Sequence, residues 1–257
     1  MLRSLFTASA LYVNAPQIPT SAAEFACHIA SVSRIRYRDN GKGGTNSMSH
    51  IGERLVGAGV VPVIRTGTEA LARRAVDLLA DEGFRLFEIT LTTPGAPAII
   101  ADLSSDAALL IGVGTVRTAE QGADAVEAGA SFVVSPAFVP GLSVVCHQAG
   151  VPMALGAATP TEVLRAHEDG ADFVKIFPAR QLGGPGFLKA VRSIYPDISL
   201  MPTGGIEPAD IKPYLQAGAS CLGMGGKLVS EAALASGDDE AIRRAAREVK
   251  AELSAAR

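Results

Sequence analysis

Short apolar runs alternate with amphipathic stretches from residue 56 to the end of the chain. Most runs are continuously apolar and are bounded by glycine, proline or small polar residues, as expected for strands covered on both faces. The eight runs are VVPVIR (60–65), RLFEITL (85–91), LLIGVGTV (109–116), SFVVSP (131–136), VPMALGAA (151–158), DFVKIFPA (172–179), SLMPTGG (199–205) and SCLGMGG (220–226). The pattern predicts eight buried strands.

The stretches between the runs have helical periodicity, and several resemble one another. In TEALARRAVDLLADEG, the residues Leu71, Ala75, Leu78 and Leu79 fall on one helical stripe. Three segments repeat the order helix, glycine, strand, namely AEQGADAVEAGASFVV, PTEVLRAHEDGADFVK and PADIKPYLQAGASCLG. Each glycine is predicted to end its helix in the left-handed conformation.

This repeated unit predicts an α/β fold, specifically a (β/α)8 TIM barrel. A doubly wound open sheet is the alternative. That fold normally shows one dominant phosphate loop near the first strand, and the sequence has none there.

Residues 1–47 differ from the rest of the chain, because they show no sustained period and end in a glycine-rich polar stretch. They carry arginine and serine but few acids, which superficially resembles an organelle transit peptide. The other interpretation, which we favour, is an over-long gene start, since the sequence from Met48 has an ordinary beginning. We therefore expect residues 1–47 to be an extension, disordered or mis-assigned, and residues 48–257 to be a single barrel domain.

Composition narrows the classes of partner. A net charge of -3 leaves no basic surplus for nucleic acid. The three cysteines are odd in number and widely spaced, which indicates a reducing compartment such as the cytoplasm rather than disulfides or a zinc site. The four histidines have no ligand-like spacing, and no apolar run is long enough for a membrane span. We expect metal-free chemistry, with no nucleic-acid or membrane partner.

A lysine lies in the middle of the sixth apolar run, DFVKIFPA. Phe173, Lys175 and Phe177 share one face of an extended strand, and Val174 and Ile176 share the other. Burying an ammonium group among such neighbours is costly unless it is paired or loses its proton. A lysine that loses its proton is a nucleophile, and Lys175 is therefore the candidate catalytic amine.

Functional residues of such barrels gather at the carboxyl ends of the strands. On the second strand Glu88, Thr90 and Thr92 alternate onto one face, so they can point together into the barrel mouth. Contact between Glu88 and Lys175 would have to cross the lumen. Such a pair is either a buried salt bridge that only fixes the fold, or an acid/base carboxylate beside an amine that attacks a ketone.

Glycine pairs end the last two strands, in PTGGI (202–206) and GMGGK (223–227). Barrels often hold a phosphate at this point on backbone N–H groups, although a glycine pair can also be a simple tight turn. Two pairs on consecutive strands favour the phosphate interpretation. Lys227 would add a positive charge there or lie solvated on the surface.

The motifs FEITLTTPG, GVGTV, SFVVSP, DFVKIFPA, MPTGGI and GMGGKLV, in this order, resemble the 2-keto-3-deoxy-6-phosphogluconate/4-hydroxy-2-oxoglutarate aldolases. The resemblance covers roughly residues 50–250. It implies a class I aldolase that uses a lysine Schiff base and no cofactor or metal, assembled as a homotrimer. The implied reaction is reversible cleavage of 2-keto-3-deoxy-6-phosphogluconate to pyruvate and glyceraldehyde 3-phosphate in the Entner–Doudoroff pathway.

The resemblance also assigns roles to residues around the keto acid. Lys175 would form the imine, and Glu88 would act as general acid/base. Thr115 would help to hold the pyruvate carboxylate, and Phe177 would pack over the bound keto acid. Thr203 would contact a substrate hydroxyl, and the phosphate cradle would consist of Gly204, Gly205, Gly225 and Gly226.

One departure from the family pattern concerns the carboxylate of the keto acid. Many members that act on phosphogluconate have an arginine where this chain has Thr92. The galactonate-type members instead carry an arginine at the end of the first strand, where this chain has Arg65. We expect Arg65 to take over anion recognition beside Thr92, with a structural salt bridge to a neighbouring carboxylate as the alternative.

Two rival functions stay open at this point. A phosphate-binding barrel of another class, such as an isomerase or a thiamine-phosphate-synthase-like transferase, would keep the late glycines without needing an imine-forming lysine. A non-catalytic sugar-phosphate sensor would be favoured by loss of Lys175 or Glu88, and both are present.

The aperiodic composition of residues 1–47 predicts that they are dispensable. A chain that begins at Met48 should match the full chain in melting temperature and in specific activity. Insolubility or inactivity of the shortened protein would place the extension within the fold and move the predicted domain boundary.

Overall fold

The computed structural model describes residues 48–257. The prediction made for residues 1–47 lies outside these residues and stays a prediction. All eight predicted strands are present in the described part, each shorter than the apolar run that predicted it. They are β1 (Val60–Ile64), β2 (Leu86–Thr90), β3 (Leu110–Gly114), β4 (Val133–Val134), β5 (Met153–Ala157), β6 (Phe173–Ile176), β7 (Leu200–Pro202) and β8 (Leu222–Met224).

Helices precede, separate and follow the strands. Within residues 48–257 they are α1 (His50–Ala58), α2 (Glu69–Asp81), α3 (Ala96–Leu103), α4 (Ala119–Glu127), α5 (Leu142–Ala149), α6 (Pro160–Glu168), α7 (Gly184–Ile194), α8 (Ile211–Gln216), α9 (Glu231–Ser236) and α10 (Asp239–Ala256). A short 3-10 turn, Pro208–Asp210, precedes α8. None of these helices is both long enough and apolar enough to cross a membrane.

The strands pair in parallel in the order β7-β6-β5-β4-β3-β2-β1-β8. Two isolated bridges, Leu200 with Ala219 and Thr203 with Gly223, join β7 to the segment around β8. The sheet therefore closes on itself, which confirms the (β/α)8 barrel and excludes the open doubly wound sheet. All carboxyl ends of the strands consequently lie at one end of the barrel.

The repeated glycine that follows a helix has the predicted conformation. Gly129, Gly170 and Gly218, from the three repeated segments, have φ angles of 98°, 93° and 97°, and Gly83 after α2 is similar at 91°. In this left-handed region glycine avoids the steric cost that a Cβ would impose, so each glycine turns the chain from its helix into the next strand. The repeat predicted from the sequence is therefore a true structural repeat.

The amino end of the barrel is closed by apolar packing. One cluster of buried residues fills the lumen there, with Phe132, Phe173 and Met201 among its members. Leu55 of α1 belongs to this cluster, and Ile51 packs against it. Val174 and Ile176 lie in a second cluster between the strands and the outer helices, so β6 alternates as predicted.

Small residues leave space for the polar groups in the other half of the lumen. A Cβ at Gly114 would lie 2.0 Å from Oε1 of Glu88, and one at Gly223 would lie 2.4 Å from Oγ1 of Thr203. A Cβ at Gly156, which is paired with Lys175 in the sheet, would approach the backbone of Pro136 to 2.1 Å. Glycine is therefore required at these positions by the neighbours each one faces.

Gly156→Ala should destabilise the barrel by about 1–3 kcal/mol, because the added methyl group meets backbone that cannot rotate away. Gly186→Ala in α7 is the matched control, since no heavy atom lies within 4 Å of its added Cβ. That substitution should be neutral or stabilising by up to about 1 kcal/mol. Urea unfolding measures both, and equal stability of the two variants would contradict the packing argument.

Candidate active site

Buried polar side chains concentrate at the carboxyl ends of four strands. In the described residues, those next to the ends of β1, β2, β6 and β7 are Thr66, Glu88, Thr90, Thr93, Lys175 and Thr203, each at most 6% exposed. Buried polar groups normally need partners, and a concentration of them at a barrel mouth indicates a functional site.

Lys175 and Glu88 meet across the lumen. The Nζ atom of Lys175 lies 3.7 Å from Oε1 of Glu88, and the side chains are 5% and 0% exposed. Both point inwards, Lys175 from β6 and Glu88 from β2, as the strand pattern predicts. This distance makes an ion pair but is too long for a direct hydrogen bond.

The Glu88 carboxylate is buried without hydrogen bonds. Neither of its oxygens has a hydrogen-bond partner in the described chain, and Oγ1 of Thr203 also has none. A pair selected only for stability would satisfy these atoms, because each buried unsatisfied polar group costs about 1–3 kcal/mol. The arrangement thus leaves polar atoms available to another molecule.

The thiol of Cys221 also lies in the lumen, but it is not in its reactive form near neutral pH. Burial, and secondarily the charge of Glu88, raises the pKa of Cys221 to about 12. Burial, with a smaller effect of Asp172, raises the pKa of Cys146 to about 11. Since the thiolate is the reactive form, both cysteines are inert near neutral pH.

An aromatic ring borders the lysine. The Nζ atom of Lys175 lies 5.6 Å from the centre of the Phe177 ring. Gly204, with a φ angle of 104°, lies so close to this ring that a Cβ there would be 3.3 Å from it. Phe177 therefore separates the amine from the first glycine pair and gives the site an apolar wall.

Arg65 and Thr115 are brought together at the mouth. An N–H of the Arg65 guanidinium donates to Oγ1 of Thr115 at 3.3 Å, and no carboxylate of the described chain lies within 4 Å of Arg65. The described chain therefore does not contain the alternative, a structural salt bridge between Arg65 and a neighbouring carboxylate. Thr115 has a φ angle of 61°, a strained conformation for a non-glycine residue that is typical of functional sites.

Thr92 lies just beyond β2, and its hydroxyl is 3.0 Å from that of Thr90. Thr90 is also 3.3 Å from the hydroxyl of Thr93, which in turn accepts the backbone N–H of Thr66. Thr93 was not predicted, because it lies outside the alternation that puts Glu88, Thr90 and Thr92 on one face. The three threonines tie the end of β2 to the end of β1 beside Arg65.

The two glycine pairs lie at the ends of β7 and β8, as predicted. In the described chain, the backbone N–H groups of Gly205 and Gly226 have no acceptor. The structure shows no contact of Gly225 or Gly226 with the Lys175–Glu88 pair. The glycines thus form a second, separate part of the site, with donors suited to an anion.

A cluster of charged residues borders these glycines and was not predicted as a unit. Arg180 and Lys227 lie 2.9 Å and 3.1 Å from the same carboxylate oxygen of Glu207. Hydrogen bonding by Lys227, followed by that of Arg180, lowers the pKa of Glu207. Arg180 also donates to the carbonyl of Gly205 at 3.1 Å. In the sequence, the feature that could have indicated this cluster is Arg180, a cation directly after the sixth apolar run.

Other polar residues near the strand ends have structural roles. The Thr159 hydroxyl caps α6 by accepting the N–H of Glu162, and Ser135 bonds within its own turn to Ala137. Among the described residues, no group of three His, Cys, Asp or Glu side chains is arranged to hold a metal ion.

The fold and the site define a (β/α)8 barrel with a buried lysine–carboxylate pair at its mouth and two glycine pairs beside it. Residues 51–245 match the family model described as "Aldolase: KDPG and KHG aldolase". The chain belongs to this family, which confirms the resemblance seen in the motifs. The family consists of carbon–carbon lyases.

Named relatives agree with the family assignment. The chain is 38% identical over 193 residues to the 2-dehydro-3-deoxy-phosphogluconate aldolase of Treponema pallidum (strain Nichols), covering 74% of this chain and 91% of the relative. It is 35% identical to the KHG/KDPG aldolase of Escherichia coli (strain K12), covering 74% of this chain and 89% of the relative.

A solved structure shows the chemistry of the family. The KDPG aldolase of Legionella pneumophila, with pyruvate captured at low pH as a covalent carbinolamine, superposes with a TM-score of 0.69. It is 31% identical and covers 77% of this chain and 97% of that structure. By contrast, the thiamine phosphate pyrophosphorylase of Pyrococcus furiosus has a TM-score of 0.60 at 15% identity, which is a likeness of fold alone.

Proposed function

We propose that this protein is a class I aldolase that cleaves 2-keto-3-deoxy-6-phosphogluconate, or a related 2-keto-3-deoxy or 4-hydroxy-2-oxo acid. The products are pyruvate and an aldehyde such as glyceraldehyde 3-phosphate. The observation that carries the proposal is the buried pair of Lys175 and Glu88, 3.7 Å apart at the carboxyl ends of their strands. Neither a sensor nor an isomerase needs an imine-forming amine beside this carboxylate.

In this mechanism Lys175 first transfers a proton to Glu88, and its neutral amine then attacks the ketone carbon of the substrate. The resulting carbinolamine loses water to form a cationic imine. Glu88 supplies the proton that lets the hydroxyl leave. As a carboxylate, Glu88 then takes the proton of the C4 hydroxyl, directly or through a water. The C3–C4 bond breaks, its electron pair enters the imine as an enamine, and the aldehyde leaves. Protonation of the enamine and hydrolysis release pyruvate and free Lys175.

Arg65 and Thr115 hold the carboxylate of the keto acid in this proposal. The carboxylate must be fixed so that the ketone carbon faces Lys175, and a guanidinium gives a bidentate, charge-assisted grip. The hydrogen bond between Arg65 and Thr115 supports the proposal, because it places the guanidinium and the hydroxyl side by side. Thr203, whose buried hydroxyl oxygen has no partner among the described residues, contacts a substrate hydroxyl.

The phosphate of the substrate binds at the glycine pairs. The N–H groups of Gly205 and Gly226, which have no acceptor within residues 48–257, support this assignment, together with the nearby cations Arg180 and Lys227. Phe177 packs over the keto acid between the two anionic ends.

The protein works as a homotrimer in the cytoplasm without a cofactor, and its place in metabolism is the Entner–Doudoroff cleavage of sugar acids.

Lys175 should be the residue that pyruvate modifies. Incubation of the full chain with pyruvate and borohydride should add a reduced pyruvyl group, visible by intact mass and mapped to Lys175 in a peptide digest. Lys175→Ala and Lys175→Arg should both abolish trapping and cleavage; the arginine variant keeps the positive charge opposite Glu88. Trapping at Lys189, Lys212 or Lys227 would overturn the assignment.

Glu88→Gln serves as the companion variant in this experiment, since it keeps the shape of the side chain and removes its acid/base function. It should still be trapped, though more slowly, and should lose about 10²–10⁴-fold in cleavage rate. Near-normal cleavage by this variant would leave Glu88 with a structural role only.

Arg65→Lys keeps the charge and loses the planar fork, so it tests carboxylate binding. The apparent affinity for pyruvate in the trapping reaction should fall about tenfold, with little change in melting temperature because Arg65 is exposed and forms no salt bridge in the described chain. Unchanged pyruvate affinity with a lowered melting temperature would show that Arg65 is structural.

Removing the cations beside the glycines should distinguish phosphorylated from non-phosphorylated substrates. The double variant Arg180→Gln/Lys227→Gln should raise KM for 2-keto-3-deoxy-6-phosphogluconate about tenfold or more, because two charge-assisted contacts are lost. The KM for 2-keto-3-deoxygluconate, which lacks the phosphate, should not change. An equal loss for both substrates would show that the cluster only supports the loops.

A further inference from the structure

A cavity of about 650 Å³ lies at the opposite end of the barrel from Lys175 and Glu88. It opens between the end of α1, the amino ends of β1 and β2, and the last turns of α10, where Val60, Phe84, Leu86 and Leu253 form its apolar floor. The candidate active site lies at the carboxyl ends of the same strands. The cavity therefore belongs to neither the keto-acid site nor the glycine cradle.

Four cations line this cavity, namely Arg54, Arg85, Lys250 and Arg257, and no acidic residue of the described chain does so. None of the four has a carboxylate of the described chain within 4 Å. The adjacent acid, Glu82, is paired instead with Arg243 and Arg247. In a chain whose net charge is -3, this is a local excess of positive charge.

The backbone holds three of these cations in place. Arg85 donates to the carbonyls of Ala80 and Phe84 at 2.6 Å and 2.7 Å, and Lys250 donates to that of Glu82 at 2.8 Å. Arg257 donates to the carbonyl of Gly57. These bonds leave further N–H groups on each cation, and Arg54 makes no hydrogen bond to another described residue. The cluster is thus preorganised and still has donors to offer.

Two glycines make this arrangement possible. A Cβ at Gly83 would lie 3.0 Å from Nζ of Lys250, and a Cβ at Gly59 would lie 3.2 Å from the guanidinium of Arg257. Both glycines have positive φ angles, 91° and 73°. The backbone is therefore open at the two points where the cations approach it.

We propose that this cavity is a binding site for a small organic polyanion, a polycarboxylate or an organic phosphate, distinct from the active site. Its volume is within the range of small-molecule sites, and its floor is apolar while its rim is cationic. An anion there relieves the repulsion among four like charges and gains charge-assisted hydrogen bonds, three of them from side chains that backbone carbonyls already hold.

Citrate is the probe, measured by isothermal titration calorimetry on the full chain at constant ionic strength. Arg54→Glu should weaken citrate binding about tenfold or more, since it reverses one charge of the cluster. Lys189→Glu changes the net charge equally at an exposed position of α7 and should leave the affinity unchanged. Arg180→Gln/Lys227→Gln, which removes the cations of the glycine cradle, should also retain this binding.

A second measurement needs no variant. Citrate should protect Lys250, but not Lys189, from acetylation in a peptide map of the unmodified chain. Equal citrate affinity in Arg54→Glu, equal weakening by Lys189→Glu, loss of binding in the Arg180/Lys227 variant, or unprotected Lys250 would each overturn the proposal. Because pyruvate trapping at Lys175 is a separate readout, this result is independent of the proposed aldolase activity.

Discussion

The ion pair between Lys175 and Glu88 is the interaction on which the site depends. Two opposite charges face each other across the lumen of the barrel, each on its own strand, with almost no exposure to solvent. Removing one member of such a pair typically costs about 3–5 kcal/mol, because the other charge is left buried and alone. Within residues 48–257, Glu88 has no hydrogen-bond partner, so its carboxylate oxygens are open to another hydrogen-bonding group.

The two halves of the lumen are filled differently, and this difference makes room for the pair. Apolar side chains fill the amino half of the barrel, whereas glycines at positions 114, 156 and 223 keep the carboxyl half open. A methyl group at Gly114 would occupy the volume of the Glu88 carboxylate. Apolar packing is therefore concentrated in the amino half of the lumen and between the strands and the outer helices. The carboxyl half holds buried polar groups instead, at a cost in stability.

Charged residues lie at two separate places around the mouth of the barrel. Arg65 and Thr115 lie at the ends of β1 and β3, and Arg180, Glu207 and Lys227 surround the glycine pairs after β7 and β8. The lysine and Phe177 lie on β6 and the residue that follows it. A substrate with an anion at each end and a ketone near one of them matches this order. The basic cavity at the amino end of the barrel is a separate feature that the same fold leaves open.

The sequence by itself determined the eight strands, the helix–glycine–strand repeat and the inward orientation of Lys175 and Glu88. These features follow from local rules, namely the continuity of apolar runs, the alternation along a strand and the conformation of glycine. The partnership of Arg180 and Lys227 through Glu207, the Thr93 network and the basic cavity depended on the tertiary structure. Their members come from segments far apart in the chain, and only closure of the barrel brings side chains from different loops within contact distance.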